Sequence, residues 1–196
     1  MLCRSKIDFN SVAKAKKRLL QMHFESGVGH IGGNLSVLDA MLLVFNEYLN
    51  ADDSFILSKG HSAGALYIAL WSVAKLPDSE LALFHKDNTL LAGHPPARSI
   101  ADIAFATGSL GHGLSLAAGT ALAFRLKQQD RHVFCITSDG EWQEGSTWEA
   151  LIFACHQRLG KSLRRARALT RRRRRAAVAE APETHNTGGG SRFGGG

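Results

Sequence analysis

The chain has 196 residues, 44% of them apolar, which suits one globular domain of ordinary size and includes no apolar run long enough to cross a bilayer as a helix. Its formal charge of +7 is unevenly held: residues 161–196 carry ten of the 24 Lys and Arg but only two of the 17 Asp and Glu, so residues 1–160 are close to neutral. The high pI is therefore no reason to read the body as a nucleic-acid binder, and the basicity belongs to the tail.

The N-terminal stretch has basic residues but neither an apolar core nor a cleavage signature, so no signal peptide is expected. Cys3, Cys135 and Cys155 match no metal-ligand or disulfide spacing. Both features point to the cytoplasm. Asn10 or Ser11 is positioned to cap a first helix ending near Glu25, with Val12, Ala15, Leu19, Leu20 and Met22 near one face. Ser26 to Ser36 holds four glycines and His30, a loop whose backbone can approach another molecule closely. Ser36 then begins an apolar helix from Val37 to Tyr48.

Phe55-Ile56-Leu57 reads as a short strand running into a second glycine–histidine loop, Ser58 to Ser62, and a helix from Ala63 to Ala74. Pro77 breaks the chain, and Ser79-Glu80 starts a short helix to about Phe84. A third loop, Gly93-His94-Pro95-Pro96, has its backbone fixed by the paired prolines. Ile103 to Ala106 is weakly strand-like. Thr107 to Ser115 then opens a helix reaching about Leu126, whose glycine-rich start suits an anion.

His132 to Thr137 reads as a buried strand ending at the turn Ser138-Asp139-Gly140, and Ser146 or Thr147 caps the helix that follows. Asp139 thus stands at the carboxyl end of a strand, where open α/β sheets bind ligands. It suits either a hard cation such as Mg²⁺ or a plain turn-capping role. Alternating helices and short strands indicate an α/β fold with helices on a mainly parallel sheet. From Lys161 the pattern fades; the tail is expected to lack order apart from a short helix near Leu163 to Ala168. The arginines at 171–175 suit either a polyanion-binding arm, the chain's one route to nucleic acid, or a solvated tail.

His30, His61, His94 and His112 all lie beside glycines, and such histidines can bind phosphate or sugar hydroxyls and move protons near neutral pH. Glu144 is placed either to orient a cofactor or neighbouring subunit, or simply to interact with a helix dipole.

Five motifs, Gly29-His30-Ile31-Gly32-Gly33, Leu57-Ser58-Lys59-Gly60-His61, Gly93-His94-Pro95, Thr107 to Gly113, and Asp139-Gly140 followed by Gln143-Glu144-Gly145, occur in one order. Over about residues 10–160 this set resembles the thiamine-diphosphate-binding half of transketolase, and more closely the N-terminal subunit of the split bacterial form. The resemblance implies transfer of a two-carbon ketol unit between sugar phosphates, with thiamine diphosphate and Mg²⁺ as cofactors. It also implies a C-terminal partner subunit carrying the pyrimidine-binding half, and an oligomer. By the same resemblance Asp139 binds Mg²⁺ and Gly140 contacts the diphosphate. Gly108, Ser109 and Leu110 line the cofactor. His61 meets the diphosphate, and His30 and His94 meet the sugar. Two departures stand out. Ser138 replaces the first glycine of the family's Gly-Asp-Gly, and no Asn follows about thirty residues after Asp139 as a second metal ligand. The core strand that the family forms beyond Gly160 is likewise expected to be missing.

Overall fold

The structure is a computed structural model that describes residues 6–97 and 100–168, the last five by their backbone alone. Cys3, the Arg171–Arg175 run and Asn186 lie outside the described residues.

Helix α1 spans Phe9–Ser26 and buries Ala15, Leu19, Met22 and His23. Its cap is Asp8, ahead of both expected candidates: the carboxylate accepts from the Ser11 amide at 2.7 Å, which draws Phe9 and Asn10 into the first turn. Gly27 ends the helix in the left-handed region, φ 65°, with its N–H donating to the His23 carbonyl. Leu20, expected on the buried face, is half exposed.

Helix α2 spans Ile31–Leu43, so Gly32, Gly33 and Asn34 are helical, not loop, and the start expected at Ser36 is a full turn late. Glycine weakens a helix intrinsically, but tertiary contacts override that preference here. Asn34 donates from its backbone and its side chain to the His30 carbonyl at 3.1 and 3.0 Å, and accepts the Ala65 amide at 2.7 Å. The helix closes in a π turn, Val44–Tyr48. Strand β1 is Ser54–Leu57, and a 3₁₀ turn at Gly60–Ser62 leads into α3, Ala63–Ser72, which is buried from Ala63 to Leu70. The short α4 is Asp78–Leu81.

The segment Ile103 to Ala106 forms no strand; Ile103 is buried and its amide closes a turn on the Ile100 carbonyl. Helix α5 starts at Gly113 and runs to Leu126, later than expected, leaving Gly108 to Leu110 in the turn before it. Strand β2 is Val133–Ser138, followed by a 3₁₀ turn at Gly140–Gln143 and α6, Gly145–His156. Neither Ser146 nor Thr147 caps α6: both lie inside it, and their hydroxyls donate to the carbonyls of Gly111 and Glu141.

The largest correction concerns Leu163–Ala168, which is strand β3 and neither a helix nor a departure from the fold. The three strands lie in the order β1-β2-β3, all parallel, with Val133 opposite Leu163 and Ser138 opposite Ala168. Pairing with a central strand satisfies backbone groups that an arginine-rich composition gives no hint of. Side chains alternate across the sheet. Phe55, Leu57 and Ile136 join the core built with α1, α2 and α3, while Ile56, Val133 and Cys135 join the one built with α5 and α6. The sheet is thus covered on both faces, and β2 at its centre delivers Asp139 to the carboxyl edge.

Candidate active site

Three loops meet at that edge. A Cβ on Gly60 would overlap the Thr107 carbonyl oxygen and lie 2.7 Å from the Gly108 nitrogen, so the β1 loop and the turn before α5 touch backbone to backbone. A Cβ on Gly108 would lie 3.0 Å from the His94 ring, and one on Gly33 would lie 3.3 Å from the His61 ring. His30 and His61 stack obliquely, with ring centroids 5.4 Å apart. His30 itself is in the left-handed region, φ 64°, at the junction with α2. The expected trio His30, His61 and His94 therefore gathers in one place. A cleft of about 410 Å³ opens beside it, lined by the Ser26–His30 loop, His85, Gly93 and His94.

The electrostatics of the trio follow from its depth. His61 has its pKa lowered, first by burial and then by the Lys59 ammonium and His30, with His94 adding to the effect and Glu141 opposing it. Lys59 is buried, and its Nζ donates to the Gly33 carbonyl at 3.1 Å and the Ser36 hydroxyl at 3.2 Å. Burial lowers its pKa, while the charges of Asp139 and Glu141 act the other way. Lys59 thus links the histidine side of the site to the carboxylates after β2.

Asp139 leads into the 3₁₀ turn that begins at Gly140. Glu144 occupies the position before α6 but makes no capping bond; it packs against Gly111, where a Cβ would approach the Glu144 Cβ to 2.8 Å. Gly111 has φ 83°, a conformation that suits glycine. His112 makes a contact with the Ser109 carbonyl at 3.4 Å, within its own turn.

Sequence reasoning passed over Glu141. It is fully buried, and its carboxylate accepts from the Ser58 hydroxyl, the Gly111 amide at 3.0 Å, and the Ser138 amide and hydroxyl at 2.7 and 3.1 Å. A carboxylate so engaged has little capacity left for a metal. Among the described residues no group of three His, Cys, Asp or Glu could hold an ion. Asp139, at the carboxyl end of β2, is a single carboxylate there, and an open magnesium site uses one or two carboxylates with phosphate and water in its other positions.

The family described as "Transketolase, thiamine diphosphate binding domain" matches residues 12–164. The 6-deoxy-6-sulfo-D-fructose transketolase subunit SqwG of Clostridium sp. is 34% identical, over 81% of this chain and 61% of its own. An apulose-4-phosphate transketolase subunit of Actinobacillus succinogenes is also 34% identical, over 67% of this chain and 51% of its own. The chain spans between half and two thirds of the length of these relatives. Among solved structures, transketolase from Leishmania mexicana superposes with a TM-score of 0.72 at 23% identity, covering 83% of this chain and 27% of that one, a likeness of fold. No helix among the described residues is long and apolar enough to cross a membrane. With the matched family spanning α1 to the start of β3, the chain belongs to the transketolase thiamine diphosphate binding domain family.

Proposed function

We propose that this chain is the cofactor-binding N-terminal subunit of a split transketolase, acting on sugar phosphates with a C-terminal partner subunit, in an oligomer. The observation that carries this reading is the convergence of Gly60, Gly108 and the three histidines at the edge where β2 delivers Asp139. Relatives named as transketolase subunits support the need for a partner.

The residues divide the work. Asp139 would hold magnesium, and Gly140 with the Gly108-Ser109-Leu110 turn would receive the diphosphate. Glu144, packed on Gly111, braces that turn from the α6 side. Thiamine diphosphate supplies the carbanion chemistry; the protein supplies placement and electrostatics. Burial disfavours the His61 imidazolium, and a neutral imidazole can donate from one ring nitrogen and accept at the other. His30 and His94 border the cleft and are placed to bind sugar hydroxyls and to exchange protons with them. Lys59 adds positive charge beside the phosphate site.

The family's second metal ligand is missing from the sequence: thirty residues after Asp139 stands Leu169, followed by Thr170. The ion would then rest on one side chain of this subunit. To test the reading, the chain is combined with a transketolase C-terminal subunit, Mg²⁺ and thiamine diphosphate, and ketol transfer between sugar phosphates is assayed. Turnover that requires both subunits supports it; a folded, saturated mixture without turnover refutes it.

A further inference from the structure

Glu141 lies outside the roles assigned above, yet its carboxylate accepts four hydrogen bonds at the site. Its Oε1 accepts from the Ser58 hydroxyl, at the end of β1, and from the Gly111 amide, in the turn before α5. Its Oε2 accepts from the amide and hydroxyl of Ser138, the last residue of β2. The Glu141 carbonyl accepts from Thr147 Oγ1 at 2.7 Å, which ties the same residue to α6. One buried carboxylate therefore joins the three segments that surround the Asp139–Gly140 turn.

We propose that Glu141 is a positioning residue: it fixes the ends of β1 and β2 and the turn before α5 relative to one another, so that Asp139 and the Gly108–Leu110 turn meet the cofactor diphosphate already arranged. The proposal rests on the functional reading above. It also accounts for Ser138 at a position where the family usually has glycine, since the Ser138 hydroxyl is a fourth donor to the same carboxylate.

A carboxylate is required for this, not merely a polar group. Each oxygen faces one backbone N–H, which cannot reverse its polarity, together with one hydroxyl, which can. In Glu141→Gln the amide nitrogen must face either the Gly111 or the Ser138 amide, donor against donor. The turn then moves or the group is left unpaired, and such losses behind a metal ligand typically weaken binding tenfold to a hundredfold.

The test uses the full chain and titration calorimetry with thiamine diphosphate at saturating Mg²⁺, alongside urea unfolding. Glu141→Gln is expected to weaken cofactor affinity by about tenfold to a hundredfold. Ile68→Val, a core change in α3 away from the site, is expected to lower the unfolding midpoint and leave that affinity unchanged. Ser58→Ala removes one donor without a clash and is expected to weaken affinity severalfold, which keeps the test open should Glu141→Gln not fold. Amide exchange without cofactor gives a separate readout: the Gly111 and Ser138 amides lose protection in Glu141→Gln and keep it in Ile68→Val. Wild-type affinity in both Glu141→Gln and Ser58→Ala, or an equal loss in Ile68→Val, overturns the positioning role while leaving the functional reading intact. The titration is repeated with a transketolase C-terminal subunit present, and a wild-type mixture that ignores the cofactor overturns the functional reading, and the proposal with it.

Discussion

At the residue scale, His61 makes the site sensitive to acid. The His61 pKa is held below its ordinary value of about 6.5, chiefly by burial, so the fold disfavours the imidazolium. The unfolded chain then binds the proton first. Stability from this group is complete above about pH 6.5 and is lost as pH falls through the lowered folded value. The urea midpoint is expected to drop between pH 7 and pH 5, and to drop less in His61→Gln; an identical slope in the variant would contradict this. Gly60 gives a steric counterpart. Gly60→Ala drives a methyl into the Thr107 carbonyl, and backbone on backbone cannot yield cheaply. A loss of about 1–3 kcal/mol in unfolding free energy is expected from urea titration, by analogy with overpacked cores. The histidines were legible in sequence because each stands beside a glycine in a loop. Glu141 was not, because its donors Ser58 and Gly111 lie 83 and 30 residues away and a lone Glu at a helix start reads as solvated.

At the element scale, the strands and the sheet-contacting helices were readable where apolar runs were long, as in β2 and α5. Two elements were hidden. The start of α2 depends on Asn34, which is buried and joins the His30 carbonyl to the Ala65 amide across 31 residues. Local glycine content argued against that turn, and a long-range bond decided it. Asn34→Ala leaves the Ala65 amide buried without its partner and is expected to cost about 1–3 kcal/mol. Because Asn34 also anchors the turn that carries His30, the variant should lose substrate affinity when assayed with the C-terminal partner. Strand β3 was hidden for a different reason: its arginine-rich composition resembles a solvated tail, and only the vacant edge of β2 calls for a strand there. The Ser162 carbonyl accepts the Val133 amide at 2.7 Å, and strand alternation aims the Ala166 amide at β2 as well. Ala166→Pro removes that donor and is expected to destabilise the fold by about 1–3 kcal/mol in urea unfolding. An unchanged midpoint would show that β3 adds nothing to the sheet.

For the molecule as a whole, covering both faces of the sheet leaves its carboxyl edge as the place where loops meet a ligand. His30 stands just before α2 and His61 just before α3, Glu144 packs on Gly111 just before α6, and Asp139 directly follows β2. The order of the five motifs made this architecture recognisable, although no single loop was specific. What the order could not convey is that one buried carboxylate and one buried ammonium tie the loops together. On the proposed function, the assembled edge binds a magnesium-bound diphosphate through Asp139. Calorimetric titration of the full chain with thiamine diphosphate, with and without Mg²⁺, tests it most directly. Affinity that depends on Mg²⁺ and disappears in Asp139→Ala is the predicted result; binding indifferent to the metal, or equal in the variant, would contradict it.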